Sequence, residues 1–156
     1  MSHHYIATVE WRRGSDEAFT DNRYSRGHSW SFDGGITVPA SSAPSSVRLP
    51  FSREDAVDPE EAFVAALSSC HMLTFLYLAA KAGFVVESYR DEASGEMTPN
   101  EAGRLWVSSV MLAPAIAFGA KQPSAAELDA LHHEAHEQCY LANSVKTAVT
   151  VSPRSV

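Results

Sequence analysis

The stretch DPEEAFVAALSSCHMLTFLYLAAKAG, residues 58–83, reads as one long helix marked at both ends. Asp58 suits the N-cap, Pro59 the first helical position, and Glu61 closes a capping box with Asp58. Gly83 supplies the residue type on which helices stop. Between these marks Phe63, Val64, Leu67, Met72, Leu73, Phe75, Leu76, Tyr77 and Leu78 leave almost no polar face, which is the pattern of a helix buried all round. A membrane span is the competing reading. It fails because Ser68-Ser69-Cys70-His71 and Thr74 interrupt the apolar run well short of about 20 residues. Cover for such a helix must come from a curved sheet or from a second subunit.

Working outward, Tyr5, Ala7, Val9 and Trp11 alternate with Ile6, Thr8 and Glu10, which predicts a strand with one face more buried. Asp33-Gly34-Gly35 predicts a tight turn between Trp30-Phe32 and Ile36-Val38, and residues 40–50, rich in Ser, Ala and Pro, read as a surface loop. Residues 86–97 and 105–113 are expected as two strands joined by TPNEAGR. In SAAELDALHHEAHEQC, Ser124 and Glu127 form a second capping box, and Leu128, Leu131, Ala135 and Cys139 share a stripe. Val145, Thr147, Val149 and Val151 alternate as a last strand. Hairpin, long helix, hairpin, shorter helix and strand, without βαβ alternation, predict an α+β fold with an antiparallel sheet, in a single domain over residues 1–156.

The chain has 156 residues, 45% of them hydrophobic, enough for a proper core. Its formal charge of −7, with no run among its 12 Lys and Arg, argues against nucleic acid and anionic membrane surfaces as partners. No basic segment precedes an apolar one at the start, so no signal peptide is expected and the cytoplasm is the expected compartment. A reducing compartment makes a structural disulfide between the two cysteines, Cys70 and Cys139, the weaker reading.

Both cysteines fall on core-facing helical positions with histidines nearby, and three explanations compete. The first is inert packing as small hydrophobes. The second is a metal site, since His132, His136 and Cys139 share a helical face and Cys70 would complete a tetrahedron. The third is a thiol redox pair, one cysteine attacking a substrate and the other resolving it.

A resemblance bears on that choice. DPEEAFVAALSSCHMLTFL is similar to the central-helix signature of the osmotically inducible protein C and organic hydroperoxide resistance (OsmC/Ohr) family, and EQCYLANSVKTAVTV resembles the segment carrying that family's second cysteine. The resemblance implies an α+β fold whose curved sheet wraps a long buried central helix, in an intertwined homodimer with thiol-dependent peroxidase sites. It implies that Cys70 is the peroxidatic cysteine, Cys139 the resolving one, and Glu60 the acidic residue that orients an active-site arginine. Arg26, in YSRGHSWSFDGG, is the choice for that arginine, with Arg23 close by. One position departs from the pattern: His71 follows the first cysteine where the best-known hydroperoxide-resistance members carry an apolar or aromatic residue.

The expected activity is reduction of an organic hydroperoxide to an alcohol through a Cys70 sulfenic acid and a Cys70–Cys139 disulfide, with no cofactor. A cellular dithiol, for which the resemblance points to a lipoylated protein, would reset the pair. Free cysteine, with a pKa of about 8.5, is only slightly ionised at neutral pH, so a reactive thiol needs a cation, and a guanidinium can also polarise the peroxide bond. The rise from Glu60 to Cys70 along a regular helix is about 15 Å. Either the helix is irregular or Glu60 serves the partner's thiol. Phe63, Leu67, Met72, Leu73 and Phe75 near the thiol, with Phe19, Tyr24 and Phe51 as a lid, suit an alkyl or fatty-acid hydroperoxide. The alternative from another class is a non-catalytic stress-response protein that holds a small apolar ligand on the same fold.

Overall fold

The central helix α1 (Pro59–Lys81) forms where its end signals place it. The Asp58 carboxylate accepts from the Glu61 N–H at 2.7 Å, and the Glu61 carboxylate accepts from the Asp58 N–H at 3.4 Å. At the other end Gly83, at φ +79°, lets the Phe84 N–H reach the Ala79 carbonyl at 2.9 Å while its own N–H reaches that of Ala80 at 3.0 Å. This Schellman arrangement folds Phe84 back into the core cluster that contains Ala79. The computed structural model describes residues 2–155, which form two units, one ending at Ala62 and the other starting at Phe63.

The first unit is an antiparallel sheet of three strands in the order β1 (Ala7–Glu10), β2 (His28–Phe32), β3 (Thr37–Ala40). Val9 faces Trp30, and Trp30 faces Val38. The predicted hairpin turn closes with the Phe32 N–H on the Ile36 carbonyl, Gly35 taking φ +82°. Strand β1 departs from expectation. It is shorter than residues 5–11 and every one of its residues is exposed, because its alternating side chains are covered on neither face and only β2 pairs with it.

In the second unit a long hairpin bends in its middle. Residues 86–97, expected as one strand, divide into β4 (Val86–Asp91) and β5 (Ser94–Pro99). The return arm divides likewise into β6 (Leu105–Leu112) and β7 (Pro114–Phe118), the second of which the sequence reading missed. Strand β4 pairs with β7, and β5 with β6, both antiparallel. The corner is held by Asp91, whose carboxylate accepts from the Ala113 N–H at 2.6 Å and from the Ser68 hydroxyl of α1 at 2.5 Å. Strand β8 (Ala148–Val151) follows α2 (Ala125–Gln138) and a 3-10 turn (Ala142–Ser144), and it joins β6 in parallel, the one departure from antiparallel pairing among the described strands. The expected α+β class holds.

Within one chain α1 buries a single stripe, Leu67, His71, Phe75 and Ala79, each about one turn from the next, and not its whole circumference. Leu67 packs with Val110 and Leu112 of β6; Phe75 and Ala79 pack with Phe84, Ile116 of β7 and Ala135 of α2. Leu73 and Tyr77, on other faces, are each 61% exposed. By length and apolar character alone α1 could cross a membrane, yet its buried stripe is spent on the strands and second helix of its own chain.

The polar member of the stripe, His71, is satisfied by a second buried histidine: its Nε2 lies 3.1 Å from Nδ1 of His132 on α2. Burial pushes both rings from 6.5 down to about 4; the neighbouring His132 and His136 add to the effect at His71, whereas the Asp129 and Asp91 carboxylates oppose it at His132. Between those values the unfolded chain binds more protons than the folded one, so the stability is complete above about pH 6.5 and is lost as the pH falls toward 4.

Two outcomes follow from this packing. A Cβ added at Gly95 of β5 would stand 2.7 Å from the Val64 side chain, so Gly95→Ala should destabilise by about 1–3 kcal/mol in denaturant titration, with Val64→Ala recovering much of the loss. The thermal midpoint of the wild type should fall more steeply between pH 6.5 and 4 than that of a His71→Leu/His132→Leu variant. Parallel curves would mean that the pair carries no proton linkage.

Candidate functional site

Cys70 sits on α1 beside the buried His71 and is itself half-buried. Cys139 is the C-cap of α2 and is buried, with 1% of its surface exposed. Both thiols are free, and the two lie close enough for the Cys70 thiol to act on the ionisation of Cys139. Burial, then the neighbouring Cys70 thiol, pushes the Cys139 thiol up from its ordinary value, while the N–H groups of Ala142 and Leu141 work the other way. The Ala142 N–H lies 3.4 Å from Cys139 Sγ. The chain can turn back here because the Asn143 side chain donates to the Glu137 and Cys139 carbonyls at 2.8 and 3.0 Å, closing the end of α2.

The metal reading of these residues is corrected. Among the described residues no group of three or more His, Cys, Asp or Glu side chains is arranged to hold a metal ion. His132 commits Nδ1 to His71, and Cys139 lies two turns further along, at the C-cap of α2, with its sulfur against the Ala142 N–H. The His71–His132 pairing itself was missed in the sequence, where its only signal is a histidine on the core stripe of each helix.

Arg26 and Glu60 belong to the first unit. Asn22, at φ +63°, turns the chain so that its carbonyl and that of Tyr24 accept from Arg26 Nη1 at 2.7 and 2.5 Å. The guanidinium lies 3.9 Å from the centre of the Tyr24 ring. Tyr24 stacks on Phe19 at 4.6 Å and meets Trp11 edge-on at 5.4 Å, and these rings with Val9, Arg26, His28 and Ser42 line a cleft of about 420 Å³. Two of the three expected lid residues, Phe19 and Tyr24, thus meet at Arg26. Phe51 is not in that cleft; its ring lies 5.9 Å from the Arg48 guanidinium. Trp11, read only as a strand residue, is anchored there by its Nε1–H on the Ser25 carbonyl at 2.8 Å.

Arg23 is exposed, and only its backbone N–H is engaged, by the Asp21 carboxylate. Glu60 is half-buried in the first turn of α1, where a carboxylate favours the helix dipole. Among the described residues no ion pair joins it to Arg26 or Arg23.

The sequence profile of the OsmC-like protein family matches residues 52–154. An OsmC-like protein of unknown function from Vibrio cholerae is 50% identical, with a TM-score of 0.95 over 98% of this chain and 100% of its own. Organic hydroperoxide resistance proteins from Elizabethkingia anophelis (18% identity, TM-score 0.67, 99% of this chain and 100% of theirs) and Bacillus subtilis (17%, 0.63, 97% and 98%) share the fold. No curated protein matches the chain in sequence. The profile over both cysteine segments and the similarity to the Vibrio protein agree: this chain belongs to the OsmC-like protein family.

Proposed function

We propose that this protein is a Cys-based peroxidase that reduces organic hydroperoxides to alcohols. The observation that carries the reading is a pair of neighbouring free thiols of unequal burial, one on each helix, in a fold shared with organic hydroperoxide resistance proteins. The Cys70 thiolate attacks the distal oxygen: an S–O bond forms, the O–O bond breaks, and the alkoxide takes up a proton and leaves as the alcohol. Cys139 then attacks the Cys70 sulfur of the sulfenic acid, forming the disulfide as the S–O bond breaks and water departs. A dithiol, by family resemblance a lipoylated protein or dihydrolipoamide, returns both thiols. Free cysteines fit a reducing compartment, the cytoplasm.

Arg26 is the catalytic cation in this reading, preferred over Arg23 because it is partly buried, aligned by two carbonyls and set among aromatic rings that suit an apolar hydroperoxide. Glu60 orients it, from its own chain or from the partner's. The similarity to the Vibrio protein runs over 98% of this chain and so through both units, which supports one functional domain over residues 1–156. Leu73 and Tyr77 on α1 expose apolar surface that a homodimer would cover, and so does Val9 on the first sheet.

With cumene hydroperoxide and dihydrolipoamide, the wild type should turn over and Cys70→Ser should be inactive. Cys139→Ser should consume one equivalent of peroxide and stop as a sulfenic acid. Loss of one oxyanion-type donor costs about 100-fold or more in kcat, so Arg26→Ala should fall by about that factor and Arg23→Ala should stay near wild type. Peroxide left untouched by the wild type would overturn the reading.

Sedimentation at micromolar concentration should give a dimer, and a Leu73→Glu/Tyr77→Glu variant should shift it toward monomer. A wild-type monomer with full activity would remove the shared-site part of the proposal.

A further inference from the structure

Helix α2 is thinly attached. Of its fourteen residues only His132 and Ala135 are buried, while Leu128 and Leu131 are half-covered. For the two thiols to act as a pair, its capping residue, Cys139, must nevertheless reach Cys70 of α1. Apolar contacts of this kind hold surfaces together without fixing their angle, because burial is non-directional. A directional contact sits at the same seam. The His71 and His132 rings are joined at 3.1 Å through Nε2 and Nδ1, with planes 9° apart and centroids 5.4 Å apart, and His132 also stacks on Phe75 at 4.5 Å. Among the described residues the remaining nitrogens, His71 Nδ1 and His132 Nε2, are buried without a hydrogen-bond partner, so each ring's one hydrogen bond is the one to its neighbour. His71 follows Cys70 directly on α1, and His132 precedes Cys139 by two turns on the same side of α2.

We propose that the His71–His132 pair is a positioning clamp for the dithiol, its hydrogen bond fixing the face that α2 turns to α1 and so holding the Cys139 sulfur against Cys70. The reach of a disulfide is short, with Cβ atoms about 3.5–4.5 Å apart, whereas a slip of one residue along a helix moves a side chain by about 1.5 Å and turns it through about 100°. A bond between two planar rings opposes both movements. The clamp requires one ring to donate and the other to accept, which two neutral imidazoles satisfy and two imidazolium ions do not.

The proposal rests on Cys70 and Cys139 acting as a dithiol, and not on what oxidises them. Equilibrating the full chain in glutathione redox buffers tests it without a hydroperoxide. There oxidation joins the two sulfurs and splits glutathione disulfide, and two electrons and the two thiol protons pass to two molecules of glutathione. His132→Phe keeps the ring stack but has no nitrogen, and it should lower the equilibrium constant for disulfide formation about tenfold, the worth of one hydrogen bond. His132→Asn places an amide where Nδ1 stands and should remain within about threefold of wild type, a split that lost packing alone would not produce. His71→Leu and His71→Gln should divide in the same way. Equal constants for wild type and a folded His132→Phe would overturn the clamp, as would an Asn variant as weak as the Phe variant. If the Phe and Leu variants do not fold, retention by the Asn and Gln variants supports it and a tenfold loss in both overturns it. A wild type that forms the disulfide with glutathione but ignores hydroperoxides removes the proposed activity and leaves the clamp intact; one that forms no disulfide removes both.

Discussion

The constraint on which the second unit depends is the apolar character of α1. Each of Leu67 and Phe75, fully buried, contributes roughly 1.5–3 kcal/mol by leaving water, but only if strands are brought to both ends of the stripe. A flat hairpin would cover one end. The bend at Asp91 lets the same two arms serve both, β5 and β6 over Leu67, and β4 and β7 over Phe75 and Ala79. Asp91 can hold that corner because one carboxylate oxygen takes the Ala113 N–H left free where the ladder breaks and the other takes the Ser68 hydroxyl. Sheet curvature and helix position are thereby set by one side chain.

Placing a histidine on the buried stripe has a cost that shapes α2. An imidazole taken from water without a partner loses hydrogen bonds worth a few kcal/mol, and His132 returns one of them to His71. The pairing needs at least one ring uncharged to accept, and burial pushes both pKa values down to about 4, so both are uncharged at neutral pH. Tyr89, whose hydroxyl is also buried without a partner and whose pKa burial raises, packs its ring on Phe75 close by. The two histidines and Tyr89 thus put uncharged polar groups at neutral pH into the apolar core around Phe75.

What the sequence disclosed divides by the range of the interaction. The Asp58–Glu61 and Ser124–Glu127 boxes, the Gly83 stop and the Gly35 turn are local, and each formed where the residues indicated. The Asp91 corner, the parallel β6–β8 pair and the His71–His132 bond, 61 residues apart, depend on partners brought close only by folding. Alternation misled at β1, where apolar side chains on one face have no cover in the unit that carries them. Pro114 hid β7, since a proline inside an apolar run argues against a strand interior. At the site, helical periodicity turned both cysteines inward, but nothing local said that they would touch. Arg26 stands apart from Arg23 through its partial burial, its contact with the Tyr24 ring and the Asn22 and Tyr24 carbonyls that accept from it, none of which is legible locally.

The two thiols differ in ways that order the proposed cycle. Cys70 is partly open and follows the exposed Ser69, so a substrate can reach it; Cys139 is closed off. Burial, then the neighbouring Cys70 thiol, pushes the Cys139 thiol up, which makes it the poorer nucleophile toward peroxide. Oxidation of Cys70 would remove the second of these influences and leave a sulfur that accepts electrons. The Ala142 and Leu141 N–H groups already favour a thiolate on Cys139, so the same helix end that restrains the second cysteine in the reduced pair would support its attack once the first has reacted.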